Sequence, residues 1–372
     1  MPIAPDALIG QIIADRYRVL SLIGEGGMGR VYLAEHVHMG RKSAVKVLSP
    51  ALAVSAEAIT RFHREAANAS RINHPNVAAI YDFGEASEGV MYLAMEYVEG
   101  ETLTALLRRE GRLDIARAAQ LTKQAADALA SAHHFGIVHR DLKPDNIMVA
   151  RNMEGGDLVK VVDFGIAKSM GPSSQTVTTA GISIGTPEYM SPEQLAGEKL
   201  DARTDVYSLA VVLFHMLTGV LPYPQVTSRE TLVKRLTSPP RKLQDVAADV
   251  EWPVGLERAL DRALAPAVDD RYSSVGDFGR DVLAAAELSV AHSVSDLTSS
   301  AAPATPTRRL APSEPAHASP PRAIFRRRFD RRLIVVGALV VVAAWVAAFA
   351  YRHSVERPHA RLARPAKSTS RR

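Results

Sequence analysis

Eight consecutive residues, His139 to Asn146, place a carboxylate, an ammonium group and an amide on one short stretch. Asp141 could orient an attacking hydroxyl and accept its proton as a general base. Lys143 could offset the negative charge that develops on a transferred phosphoryl group. Asn146 offers a neutral oxygen of the kind that a hard cation such as Mg²⁺ accepts. Together, the three side chains could support phosphoryl transfer. The alternative is a charged, solvated turn after a helix, which would not require this combination of groups.

Two further stretches carry groups that suit phosphate and metal. Asp163 opens an Asp-Phe-Gly triplet 17 residues after Asn146, a spacing that chance does not favour. Near the N-terminus, glycines at 24, 26, 27 and 29 join two short apolar strand patterns, at 17–23 and 30–36. Glycine allows backbone N–H groups to approach phosphate oxygens closely. A plain hairpin is the alternative, and a dinucleotide-binding loop is disfavoured because its glycines should open a helix.

The intervening pattern predicts a small sheet followed by a mostly helical region. Lys46 lies in a strand at 43–48, and Glu65 lies in a helix at 56–72 with Ser55 as its N-cap. Further strands are predicted at 77–83, 91–97, 147–149 and 159–162, and helices at 103–109, at 115–134 behind Asp114, and at 206–217 behind Asp205. The helix at 115–134 leads into the stretch that begins at His139.

These motifs resemble the glycine-rich loop, strand lysine, catalytic loop and Asp-Phe-Gly turn of the protein kinase family. The resemblance implies an α+β, bilobal protein-kinase-like fold over 17–287. It places a sheet-rich N-lobe at 17–98, behind a lead-in at 1–16, and a helical C-lobe at 99–287. Ser43 departs mildly from the family, which commonly has Val there. Glu193, in Ser-Pro-Glu rather than Ala-Pro-Glu, is expected to pair with Arg271.

The resemblance also implies ligands and roles. Asp141 and Lys143 are expected to be catalytic, while Lys46 contacts the ATP phosphates and pairs with Glu65 in the active state. Asn146 and Asp163 are expected to hold Mg²⁺, with Mn²⁺ as an alternative metal. The residues expected to contact ATP are Ile23, Gly24, Glu25, Gly26, Gly27, Met28, Gly29, Arg30, Val31, Lys46, Glu96 and Val98.

The expected acceptors are Ser and Thr hydroxyls of proteins. Lys143-Pro144 and Thr186 resemble serine/threonine kinases, and the whole resembles the eukaryotic-like serine/threonine kinases of bacteria. The segment before Ser-Pro-Glu is rich in hydroxyl groups, at Ser173, Ser174, Thr176, Thr178, Thr179 and Ser183. We expect an activation segment in which Arg140 binds phosphate on Thr178 or Thr179. An ordinary loop is the alternative.

Basic charge is confined to the C-terminal end of the 372-residue chain. Residues 322–372 carry a net charge of +11, so residues 1–321 carry −6 of the total +5. A nucleic-acid-binding domain would itself be basic, so nucleic acid is not an expected partner. The chain has no Cys, which excludes disulfides and thiolate metal sites and fits a reducing compartment.

The C-terminal end predicts a membrane anchor. Residues 288–332, rich in Ser, Thr, Ala and Pro with a basic cluster, predict a disordered linker. Residues 333–351 hold 19 uncharged residues, which as a helix would span about 28 Å, close to the ~30 Å hydrocarbon core. A buried core helix is the alternative, but no domain follows to bury it. We therefore expect one transmembrane helix.

Arg and Lys flank this helix on both sides, so charge does not decide its orientation. Because ATP is cytosolic, we expect a single-pass protein of the inner or plasma membrane, with the kinase-like region in the cytoplasm and the tail at 352–372 outside. That tail is too short for a folded sensor domain. A partner protein, the helix or a homodimer could each convey a stimulus.

Two alternatives belong to other functional classes. A pseudokinase would use the same fold as a membrane-tethered scaffold without chemistry, and a tail-anchored adaptor would only localise partners. Neither needs Lys46, Asp141, Asn146 and Asp163 together. The sequence therefore favours a kinase that uses ATP and Mg²⁺.

Overall fold

The structure is a computed structural model that describes residues 7–50, 55–86, 89–165, 187–223 and 238–299, with side chains up to residue 288. Its N-terminal lobe contains an antiparallel six-stranded sheet with the strand order β1-β2-β3-β4-β6-β5. The strands are β1 (Ile12–Ile13), β2 (Tyr17–Gly26), β3 (Gly29–His36), β4 (Lys42–Leu48), β5 (Ile80–Ala86) and β6 (Val90–Glu96). The predicted sheet-rich lobe is present.

The N-terminal lobe begins before Tyr17. Ile13 pairs with Tyr17 across β1 and β2, and its side chain is only 5% exposed. Ile13, Tyr17 and Val19 belong to one buried apolar cluster on the outer face of the sheet. The lead-in predicted at 1–16 is therefore corrected, because residues 7–16 cover this apolar face.

Helix α1 (Ala56–Ala69) packs on the other face of the sheet. The Ser55 side chain accepts a hydrogen bond from the Ala58 N–H, which confirms the predicted N-cap. The strand predicted at 77–83 instead begins at Ile80. Its first residues leave the sheet because Val77 forms a parallel bridge to Val161 in the other lobe, where the Ala78 N–H also donates to the Val161 carbonyl.

The C-terminal lobe is mostly helical, as predicted. Its helices are α2 (Leu103–Glu110), α3 (Ile115–His134), α4 (Pro192–Ala196), α5 (Ala202–Thr218), α6 (Leu243–Val246), α7 (Val254–Ala263) and α8 (Val275–Ser299). Asp114 caps α3, as expected, by accepting from the Arg117 N–H. A three-stranded sheet of β7 (Gly100–Thr102), β8 (Ile147–Arg151) and β9 (Asp157–Val161) lies beside these helices and includes the predicted strand pair.

Helix α5 is buried along nearly its whole length, and it begins earlier than predicted. Asp201, not Asp205, caps it by accepting from the Arg203 N–H. Asp205 lies in its first turn and is fully buried. A buried carboxylate needs hydrogen-bond donors, and those donors are supplied by the catalytic loop.

Helix α8 runs past the predicted domain end at Glu287. Within the described ranges, no helix is both long and apolar enough to cross a bilayer. The span predicted at 333–351 and the linker before it, beyond Ser299, lie outside the described residues.

Candidate active site

The loop at 139–146 is held by a single carboxylate beneath it. Asp205 accepts hydrogen bonds from the backbone N–H groups of His139, at 2.8 Å, and Arg140, at 3.0 Å. His133 on α3 lies 2.7 Å from the same carboxylate. Arg140 has a φ of +61°, a left-handed conformation that is uncommon for a residue with a side chain. The two backbone hydrogen bonds hold that conformation immediately before Asp141.

The buried His139 ring joins the two functional loops. Its Nδ1 accepts a hydrogen bond from the Asp141 N–H at 3.3 Å, so the neutral ring carries its proton on Nε2. Nε2 can then donate to the Val162 carbonyl, 3.1 Å away. The ring also packs against Phe164, at 4.9 Å between centroids. His139 therefore fixes the position of Asp141 relative to the Asp163 turn.

Asn146 bridges the base and the metal position. Its side-chain Nδ2 donates to the Asp141 carbonyl at 2.7 Å, and its own carbonyl accepts from the Val162 N–H at 3.0 Å. No hydrogen bond from a described residue occupies its side-chain oxygen. The Lys143 ammonium lies 4.0 Å from the Asp141 carboxylate. The predicted base, cation and amide therefore meet, with an amide oxygen still able to accept a metal ion.

Lys46 pairs with Asp163 rather than with Glu65. The nearly buried Lys46 ammonium lies 2.6 Å from both carboxylate oxygens of Asp163. Glu65 instead contacts its neighbour Arg64, at 3.2 Å. The Lys46–Glu65 pair expected for the active state is therefore not formed in this conformation, in which Asp163 binds the Lys46 ammonium.

The glycine-rich stretch is the turn of the hairpin between β2 and β3. Gly26 pairs with Gly29, and Glu25 faces Arg30 in a 3.0 Å ion pair. Only Gly29 among these glycines has a positive φ, +139°. A Cβ at Gly29 would lie 2.1 Å from the Val47 carbonyl oxygen, so close strand packing requires this glycine. At Gly26 and Gly27 a Cβ would meet no atom within 4 Å, which leaves their backbone open to a ligand.

The expected ATP contacts Glu96 and Val98, which lie at and just after the end of β6, differ in the groups that they leave available. The Glu96 N–H donates to the Ala79 carbonyl, and the Glu96 carboxylate binds Lys160 at 2.8 Å, so neither is free for a nucleotide. The half-buried Val98 makes no backbone hydrogen bond to any described residue. Of the other predicted contacts, Met28 and Val31 pack against the core, and Ile23 is 46% exposed.

These residues fit ATP with a hard divalent cation. An amide oxygen of Asn146 and a carboxylate of Asp163 are hard oxygen ligands of the kind Mg²⁺ prefers. Lys46 supplies a nearly buried ammonium beside them. The glycine backbone of the β2–β3 hairpin is open to a ligand, and the Val98 backbone makes no hydrogen bond to a described residue. The set contains groups that can meet the phosphates, the cation and the base of a nucleoside triphosphate.

A buried ion pair supports the far side of the site. Arg271 donates to both carboxylate oxygens of Glu193 at 2.8 Å, which confirms the expected pair. Burial alone would raise the pKa of Glu193, but the hydrogen bonds and charge of Arg271 outweigh it and lower that pKa. Next to Glu193, the Gln194 side chain donates to the Arg140 carbonyl at 2.8 Å.

Sequence reasoning missed the anchoring role of Asp205, the contact of His133 and the contact of Gln194. A carboxylate in a helix that is apolar nearly all round was the available signal for Asp205, since such a group must meet donors. The activation-segment residues Thr178, Thr179 and Thr186 lie outside the described residues. Arg140 is exposed, and its guanidinium makes no hydrogen bond or ion pair with a described residue.

The two-lobed fold, with a base, an amide and a lysine–aspartate pair at the lobe junction, defines the class of protein kinases. Residues 17–316 match the family described as "Protein kinase domain", and the chain belongs to this family. It is 41% identical over 281 residues to serine/threonine-protein kinase pkn3 of Myxococcus xanthus, covering 75% of this chain and 51% of that protein.

Other relatives agree. The chain is 39% identical over 280 residues to serine/threonine-protein kinase PknB of Mycolicibacterium smegmatis, covering 73% of this chain and 43% of that protein. The crystal structure of the Mycobacterium tuberculosis PknI kinase domain matches with a TM-score of 0.59 and 30% identity, over 75% of this chain and 98% of that one. The chain thus spans about half the length, or less, of the curated relatives it matches.

Proposed function

We propose that this protein is a serine/threonine protein kinase that transfers the γ-phosphoryl group of ATP to Ser and Thr hydroxyls of proteins. The observation that carries the proposal is that the loop bearing Asp141, Lys143 and Asn146 is hydrogen-bonded to Val162, which directly precedes Asp163 of the Lys46–Asp163 pair. The names of the relatives and the Lys143-Pro144 sequence support the choice of acceptor.

In this reaction ATP supplies the phosphoryl group, and a divalent cation held by Asn146 and Asp163 would screen its charge. The acceptor oxygen bonds to the γ-phosphorus, the bond to the bridging oxygen of ADP breaks, and the acceptor proton passes to Asp141. Asp141 is held in place by His139 and Asn146. Lys143 offsets charge on the transferred group.

The observed Lys46–Asp163 pair defines a resting arrangement in this proposal. Asp163 and Asn146 would hold the cation, and an Asp163 so engaged would leave Lys46 able to contact the phosphates and Glu65, which now contacts Arg64. Phosphorylation of Thr178 or Thr179 supplies an anion that the exposed Arg140 guanidinium can bind, beside the base. Replacing both threonines with Ala should abolish that activation, and an equal activity of the variant and the parent would exclude it.

Kinase activity is tested with the full chain, radiolabelled ATP, Mg²⁺ and casein as a generic acceptor. We expect acid-stable phosphoserine and phosphothreonine, and no phosphotyrosine, after hydrolysis of the product. Asp141→Asn should lose the transfer but keep ATP binding. If the parent binds ATP but transfers no more phosphate than Asp141→Asn, the pseudokinase alternative is correct.

The membrane assignment is part of the same proposal. The apolar run at 333–351 anchors the protein, with the kinase domain in the cytoplasm and the short basic tail outside. A lipid bilayer is then a partner of the chain. The cysteine-free sequence allows this topology to be tested by labelling single introduced thiols.

A further inference from the structure

A cavity of about 450 Å³ lies in the N-terminal lobe, away from the nucleotide cleft. It is lined by side chains from the ends of β2, β3, β4 and β5 and from the turn before β4. Ser43 in this cavity and Lys46 in the cleft lie three positions apart on β4. Because neighbouring side chains on a strand alternate, they project from opposite faces of the sheet. The cavity is therefore separate from the nucleotide site.

Two hydroxyl groups of largely buried residues line this cavity. Tyr17 is 3% exposed and Ser43 is 1% exposed. Among the described residues, neither side-chain oxygen makes a hydrogen bond. Neither oxygen is among the fully buried polar atoms that lack a partner, so both open onto the cavity. Both hydroxyls are therefore placed to form hydrogen bonds with a ligand in the cavity.

The Tyr17 hydroxyl remains a hydrogen-bond donor at neutral pH. Burial, followed by the nearby charge of Asp82, raises the pKa of Tyr17 above its ordinary value. The cations Arg16 and Arg41 oppose this change but do not cancel it. Tyr17 therefore keeps its proton, and the group it offers to the cavity can donate.

Arg41 and His36 add two more donors. The exposed Arg41 guanidinium stacks on the Tyr81 ring, 3.4 Å from its centroid, and pairs with no carboxylate among the described residues. This stacking holds the planar group at the cavity mouth. His36 accepts from the His38 N–H through Nδ1, so its neutral ring carries a proton on Nε2.

The acidic group of the cavity is already satisfied. Asp82 accepts hydrogen bonds from the Tyr92 hydroxyl and the Phe83 N–H, both at 2.9 Å, and pairs with Arg16 at 2.8 Å. The polar groups of the cavity that still lack a partner among the described residues are thus mostly hydrogen-bond donors. Arg41 adds a positive charge to the cavity. A ligand that complements it must accept several hydrogen bonds and carry negative charge.

We propose that this cavity binds the phosphate group of a small phosphate monoester. Arg41 donates to the phosphate as a planar fork, and the Tyr17 and Ser43 hydroxyls and the His36 Nε2–H supply further hydrogen bonds. The cavity volume lies within the range of small-molecule sites, so there is room for the organic part of the ester beside Tyr81.

Calorimetric titration of the full chain tests the proposal. All proteins carry Asp141→Asn to prevent turnover and are saturated with Mg²⁺ and a non-hydrolysable ATP analogue, which fills the catalytic cleft. The probes are inorganic phosphate, phenyl phosphate and acetate. We expect saturable binding of one phosphate per chain, tighter binding of phenyl phosphate, and weaker binding of acetate.

Variants assign the binding to the cavity. Arg41→Gln should weaken phosphate binding by about tenfold or more, because it removes a charge-assisted contact. Tyr17→Phe and Ser43→Ala should each weaken it several-fold while the thermal midpoint stays close to that of the parent. Arg18→Gln is the matched control, since Arg18 neighbours Tyr17 on β2 but is exposed outside the cavity lining.

Four results would overturn the proposal. The first is the absence of saturable phosphate binding, and the second is an equal loss in Arg18→Gln and Arg41→Gln. The third is acetate binding as tight as phosphate binding, which would assign the site to carboxylates. The fourth is phosphate affinity that falls as the protein concentration rises, which would mean that a second copy of the chain covers the cavity.

Discussion

Asp205 determines whether Asp141 is presented in a usable position. Its two carboxylate oxygens receive the N–H groups of His139 and Arg140, and Arg140 has the positive φ that these bonds hold. A non-glycine residue in this conformation is strained and relaxes unless its surroundings fix it. Arg140 directly precedes the base, so losing its hydrogen bond to Asp205 should also displace Asp141.

Asp205→Asn is therefore expected to lower kcat roughly tenfold to a hundredfold, since small misplacements of catalytic groups have effects of that size. An amide offers one acceptor oxygen, and its NH₂ group would face a backbone donor. The KM for ATP should change little, because the glycine hairpin is untouched. Steady-state kinetics measure both, and Asp201→Asn, the same change at an exposed cap, should leave kcat near the parent value. Equal kcat values for Asp205→Asn and the parent would contradict this role.

A second residue-scale prediction concerns acid stability. His215 on α5 lies 2.8 Å from the Tyr189 hydroxyl, and burial lowers the pKa of His215. The unfolded chain therefore binds this proton more readily than the folded one. Below about pH 6.5, the ordinary pKa of His, the free energy of unfolding should fall with pH until folded His215 also protonates.

Urea unfolding at pH 7 and pH 5 tests this contribution. The midpoint of the parent should fall more between the two values than that of His215→Gln, which keeps an acceptor for Tyr189 but does not titrate. His38→Gln, at an exposed histidine, is the control and should behave as the parent does. Identical pH dependence in His215→Gln and the parent would exclude the contribution.

At the scale of single residues, the sequence predicted which groups meet but not every partner. Asp141, Lys143, Asn146 and Asp163 are predictable because fixed spacing on one loop and one turn brings their functional groups together. The partner of Lys46 is not predictable in this way, because the carboxylates of Glu65 and Asp163 compete for one ammonium group. Which of them binds it depends on lobe closure and on ligands. The anchoring by Asp205 is a long-range contact across 66 residues, which local patterns do not encode.

At the scale of elements, the β2–β3 hairpin depends on one glycine more than on the others. Gly29→Ala would place a Cβ 2.1 Å from the Val47 carbonyl oxygen at a φ of +139°. Strain of this kind costs about 1–3 kcal/mol, and the clash adds to it. The free energy of unfolding should fall by at least that amount in urea titrations.

Gly26→Ala is the matched comparison for this hairpin. Its Cβ would meet no protein atom within 4 Å, so the stability should change by less than about 1 kcal/mol. ATP affinity should nevertheless fall, because the methyl group enters the space offered to the phosphates. Equal stability losses in the two variants would contradict the distinction between a packing glycine and a ligand-facing glycine.

The bounds of a helix were predicted correctly where an N-cap residue and a buried apolar face both specify them. Helix α3 begins and ends within its predicted bounds because Asp114 caps it and its apolar stripe faces the core. The strand at 80–86 was displaced because Val77 bonds to Val161 in the other lobe. The sequence pattern indicated Asp205 as the cap of α5 for a similar reason. A carboxylate near the start of a helix can cap that helix or accept hydrogen bonds from a distant loop, and local sequence does not distinguish the two roles.

At the scale of the whole molecule, the sequence separates an acidic catalytic region from a basic end with an apolar run. If 333–351 spans a bilayer, then arginines at its centre should each cost about 2.5–3.5 kcal/mol of insertion. Val341→Arg combined with Val342→Arg should move the full chain from carbonate-resistant membranes to the soluble fraction. The matched pair Val341→Leu and Val342→Leu should stay in the membrane. Retention of the arginine variant in membranes would exclude this anchor.

The same region allows a test of orientation, because the chain contains no Cys and a single introduced thiol is the sole target of a maleimide. Ser368→Cys marks the tail, and Met153→Cys marks the catalytic lobe at a fully exposed β8–β9 turn. Since the reaction needs cytosolic ATP, a membrane-impermeant maleimide added to spheroplasts should label Ser368→Cys directly and Met153→Cys only after the membrane is opened. Labelling in the reverse order would place the catalytic lobe outside, on the side of the membrane that lacks ATP. Basic residues flank the apolar run on both sides, so charge alone would permit that orientation equally well.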